Sequence, residues 1–235
     1  MTAPLFAMNP DRIGQLGLEV NRNKLLGEAK LVKRFASDIE RSHKAVTTLI
    51  QYLGQLHSTP NGVMGDAEKH TGAWKAVKAA AAVIRANEDK LRAEAKDLLA
   101  ECDAEAEAHW KSHLPSTAVH MRVYDMAERY VAKGEVENLR AMMSDQAVAA
   151  VIALSPRELV HPLFGHATRE GLVNSALFKA QPAIKEKSDM AADLLSLADG
   201  HKSAWRTCMY SVTSEKMAEQ NEKPQAPAMP EAVPA

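Results

Sequence analysis

The chain has 235 residues, of which 46% are hydrophobic, 25% charged and only 5% aromatic, with a formal net charge of −1. That apolar fraction suffices for a real core and excludes disorder throughout, while the near-neutral balance excludes the broad basic field that draws nucleic acid. Plentiful Ala, Leu, Lys, Glu and Met with few aromatics suit helix-on-helix packing better than a sandwich or barrel, so the expected class is all-α.

In chain order, residues 1–8 form a short N-terminal arm. Asn9-Pro10 is a good helix start, with Asn9 capping the first amides and Pro10 standing where no donor is needed. Leu18, Leu25, Val32, Ile39, Val46 and Leu53 then recur at a seven-residue interval. This row predicts a long helix to about His57 with a narrow apolar seam for another helix. Pro60-Asn61-Gly62 is a strong reversal signal.

A second long helix is expected from Gly65-Asp66 to about His113, with Val77, Ile84, Leu91 and Leu98 again seven apart. Residues 9–114 therefore read as a long antiparallel, coiled-coil-like helical hairpin. Reflection about the turn would set Arg22, Lys24, Lys30, Lys33 and Arg34 opposite Glu88, Asp89, Glu94, Asp97 and Glu101. Exposed pairs of this kind choose register more than they stabilise.

Residues 115–217 read as a smaller bundle of short helices followed by one further long helix. Val119, Val123, Met126 and Tyr130 mark the first, ending at Gly134. The run Ala147 to Leu154 is apolar on all sides and belongs in the centre of the bundle. Ser155-Pro156-Arg157-Glu158 resembles a capping box, and Gln181-Pro182 opens the last long helix, with its seam along Met190, Leu194, Leu197, His201, Trp205, Cys208 and Val212. Residues 218–235 are a Pro/Ala-rich tail whose composition cannot bury enough to order itself.

Cys102 and Cys208 lack CxxC spacing and read as buried, reduced thiols, with a single bridge between them left open. The N-terminus lacks a secretion signal and the longest apolar run is far short of a membrane span, so cytoplasmic synthesis of a soluble chain is expected, with a final location inside a larger particle left open.

Candidate chemistry is sparse. Glu105, His109 and His113 stack on one helical face and form the weak metal candidate; the competing reading is that histidines in a last turn interact with exposed carbonyls. His161 and His166 flank a Pro and a Gly, while His43 and His201 sit on apolar seams and read as structural. Phosphate-loop, dinucleotide and nucleophile-elbow signatures are missing, so no catalytic residue, cofactor or small-molecule substrate is assigned. The basic stretch Arg22 to Arg34 is interrupted by Glu28 and reads as a solvated face rather than a nucleic-acid site.

The leading expectation is a non-enzymatic structural or assembly protein. It would self-associate or pack with protein partners into a larger multi-subunit particle such as a phage virion, an analogy of composition. One alternative is a membrane-active or lipid-surface helical protein using the basic face and Ala147 to Leu154. A weaker one is a helical-bundle metal protein or enzyme using His109 and His113.

Overall fold

The computed structural model describes residues 15, 34–60, 62–155 and 166–210, and in these the chain is all-α, with no strand. The Asn9-Pro10 start, Leu18, Leu25 and Val32, the basic stretch up to Lys33, the capping box beyond Ser155, His161 and the tail lie outside the described residues. The elements are α1 (Ala36–Ser58), α2 (Asp66–Ser112), α3 (Thr117–Ala132), α4 (Val136–Met142), α5 (Gln146–Leu154), α6 (His166–Ala180) and α7 (Pro182–Tyr210). They divide into two compact units, residues 1–93 with 193–235 and residues 94–192. Both α2 and α7 contribute residues to each unit.

In the first unit, α1, the early part of α2 and the late part of α7 share one core. Val46, Leu49, Leu53 and Leu56 of α1 meet Ala73, Val77, Ala80, Ala81 and Ile84 of α2 and Ala204, Trp205, Cys208 and Met209 of α7. Leucines on one helix opposite alanines on the next let the backbones approach closely while filling the space between them. Two contacts show that α1 and α2 run antiparallel. Leu56 packs beside Gly72 near the turn, and at the other end the Asn87 amide donates to the Asp38 carbonyl at 2.7 Å. Between the helices the amides of Val63 and Met64 both turn back to the Pro60 carbonyl, and Lys69 Nζ donates to the Thr59 carbonyl.

α1 begins at Ala36 with Phe35 as its N-cap, at φ −100° and ψ 6°, and Arg34 and Phe35 form a tight 3-10 turn rather than continuing an unbroken α-helix. Phe35 is buried, with the Arg34 guanidinium 5.5 Å from its ring centroid.

Polar groups thread the first unit. Asn87 Nδ2 also donates to Ser42 Oγ at 2.8 Å, and buried Glu88 accepts from Trp205 Nε1 and from Arg92 Nε, both at 2.8 Å. Arg92 reaches on to Asp199 at 2.6 Å. The acids expected to face the basic stretch are thus partly engaged elsewhere: Glu88 by Trp205 and Arg92, and Glu101 by Lys187 at 3.1 Å. Where α1 and α2 do exchange charge, the signs are reversed, with Asp38 on α1 and Lys90 on α2, 3.1 Å apart.

In the second unit α5 is the centre. Ala149, Ala150, Val151 and Ile152 are all buried, in a core with Cys102, Trp110, Val123, Ala127, Leu139, Met143, Leu172, Leu177 and Ile184. The Asp145 carboxylate caps α5 by accepting from the Ala147 amide at 2.8 Å. Ser155 closes it, donating to the Val151 carbonyl and accepting from Tyr124. α3 ends at Ala132, and Gly134 follows with a φ of +71° that suits a residue without Cβ, while the Glu135 amide returns to the Tyr130 carbonyl at 2.8 Å. α3 differs from its sequence pattern: it buries Val123 and Ala127, whereas Val119 and Met126 are each 41% exposed. Neither cysteine is in a disulfide, and both are buried.

Candidate functional site

In the first unit a groove of about 650 Å³ lies between α1 and α2. Arg41, Lys44, Ala45, Thr48, Leu49 and Tyr52 line one wall, and Gly72, Lys75, Ala76, Ala79, Ala80 and Val83 the other. Each wall advances by threes and fours, so each is a single face of its helix followed for three turns. That length corresponds to about 16 Å of helix at the standard rise.

The floor is apolar and low because it is built from small residues. Leu49 and Ala80 are buried, Ala45, Ala76 and Gly72 half-buried, and a Cβ at Gly72 would stand 2.8 Å from the Tyr52 hydroxyl. Charge in the groove has one sign. Arg41 and Lys44 stand on one wall, Lys75 on the other, and no acid lines it. Arg41 has Asp38 at 3.8 Å, a loose contact, whereas Lys44 and Lys75 form no ion pair among the described residues. An apolar trough with unpartnered cations on both sides can take a helix that is apolar along one stripe and acidic along its edges.

The expected seam residues fall into place unevenly. Ile39, Val46, Leu53, Val77, Ile84 and Leu91 are buried, and Leu98 is half-buried. Val46, Leu53, Val77 and Ile84 belong to the same core.

The metal candidates are engaged in other ways. Glu105 accepts from Lys187 Nζ at 2.5 Å. His113 Nδ1 donates to the His109 carbonyl at 2.9 Å, as a histidine at a helix end is expected to do. His109 is buried against Trp110, and its Nδ1 accepts from the Gln181 side-chain amide at 3.2 Å. Burial, and then the neighbouring His113, hold the His109 pKa below its ordinary value. No group of three His, Cys, Asp or Glu is arranged to hold a metal ion among the described residues.

His201 is fully buried. Its Nδ1 donates to the Leu197 carbonyl at 2.9 Å, and its Nε2 finds no partner among the described residues. Burial pushes its pKa down, opposed by that backbone bond and by Glu88 and Asp38. The thiols are suppressed as nucleophiles: burial raises the pKa of Cys102 and pushes that of Cys208 up to about 12. No described helix is long and apolar enough to cross a membrane.

Sequence reasoning missed the groove. Its residues lie beside the seven-residue rows rather than on them, and the usable signal was the run Ala79-Ala80-Ala81-Ala82 beside Lys75 and Lys78, too small to be core all round. Neither a protein-family model, nor a curated protein, nor a solved structure matches the chain.

Proposed function

We propose that this protein is a non-enzymatic helical assembly component, one that holds protein partners, copies of itself among them, in a larger multi-subunit particle such as a virion. The observation that carries this reading is the α1–α2 groove, whose walls have helical periodicity and whose Lys44 and Lys75, one on each wall, form no ion pair among the described residues. An acyl chain with one charged head would need cations at one end only. Here Arg41 and Lys44 lie on one wall and Lys75 on the other, which suits a helix with acids along both edges.

Static light scattering of the purified chain over a wide concentration range tests the reading. Mass should rise with concentration above the 25.6 kDa of a single chain. A constant monomer mass that also fails to change with any added component of the particle would contradict it.

A further inference from the structure

The acidic face that fits the groove is present on the chain itself. Residues 97–108 of α2 contain Asp97, Glu101, Asp103, Glu105 and Glu107 and no basic residue. Ala100, Ala104 and Ala108 in this stretch are all exposed and four apart, so they form one apolar stripe. Asp97 and Glu101 stand to one side of the stripe and Asp103 and Glu107 to the other, all of them exposed. Glu101 and Glu107 are shared with Lys187 and Lys111, whereas Asp97 and Asp103 form no ion pair among the described residues.

We infer that the groove between α1 and α2 of one copy receives the 97–108 face of α2 from a second copy. This inference rests on the assembly reading above and names the partner for it. A small-residue stripe entering a small-residue floor brings the two backbones close. The flanking acids then meet Lys44 on one wall and Lys75 on the other. Groove and stripe are different surfaces, so the contact is head-to-tail: each added copy leaves one groove and one stripe open, and growth ends only if a ring closes. The basic N-terminal stretch is a poor occupant, since Arg22, Lys24, Lys30 and Lys33 would meet cations.

Charge exchange tests the pairing. Lys44→Glu with Lys75→Glu forms one variant, Asp97→Lys with Asp103→Lys a second, and the four changes together a third. Each is measured by light scattering at low and high salt, with circular dichroism confirming the helices. Wild type should exceed the single-chain mass at low salt and lose mass as salt screens the contact. The first two variants should each fall to the single-chain mass, whereas an equimolar mixture of the two, in which every groove finds a stripe of opposite charge, and the fourfold variant alone should both regain the wild-type mass. A wild-type oligomer whose mass neither pair of changes lowers would overturn this contact while leaving the assembly reading intact. Loss of mass in both variants without recovery in the fourfold one would also overturn it. A wild type that is monomeric at every concentration would remove both.

Discussion

Asn87 follows Ile84 by three residues and Ser42 follows Ile39 by three, the spacing at which Leu49 and Leu56 continue the seam of α1. Two polar residues therefore stand at inward positions of facing helices, and they satisfy each other. Asn87 donates to Ser42 Oγ and to the Asp38 carbonyl, so a shift by one turn would strand its amide in the core. Replacing Asn87 by Ala should cost about 1–3 kcal/mol in urea denaturation, the penalty for leaving buried groups unpaired. The position was readable as a break in an apolar row, but its partner was not, because pairing depends on the register of two helices. His201 gives the first unit a pH dependence. Its folded pKa lies below the ordinary 6.5, so the unfolded chain takes up the proton first. Its contribution to stability is whole above that value and is lost as pH falls through it toward the depressed folded pKa. His201→Leu should flatten this part of the stability profile, as followed by chemical denaturation at successive pH values.

Among the elements, α1 and α2 were legible because aliphatics at a sustained interval of seven leave one solution, a buried stripe. Leu53 is wholly buried in that stripe, and Leu53→Ala should cost about 2–5 kcal/mol. The α3 pattern misled. Val119, Val123, Met126 and Tyr130 share a helical face by spacing, yet the buried face turns toward Ala127, because α3 packs with α4 and α5 and the small residue permits the close approach. Met126→Ala should change stability by less than about 0.5 kcal/mol, the range of exposed positions. Gly134→Ala should cost about 1–2 kcal/mol, since its left-handed φ is disfavoured by any Cβ. Both are read from thermal and urea unfolding. The apolar run Ala147 to Leu154 is core, as its all-round hydrophobicity implied, with the Asp145 cap setting where α5 begins.

For the whole molecule, helix ends and packing divide the chain differently. A boundary after Leu114 follows the end of α2, whereas the compact units part at Ala93 and Asp193, inside α2 and α7. Sequence periodicity identifies helices well, but it does not say where along a long helix the neighbours change. The same limit hid the groove: its walls are lines of Ala, Lys and Arg that look like a solvated face until two of them are set side by side. At this scale the prediction is that the trough receives a helix from another chain. It is tested most directly by placing a photo-crosslinking amino acid at Thr48, on the groove wall, in chains mixed from isotopically heavy and light preparations. Mixed-isotope crosslinked peptides that carry residues from 97–108 are expected. Crosslinks confined to single chains, in samples whose mass shows association, would contradict it.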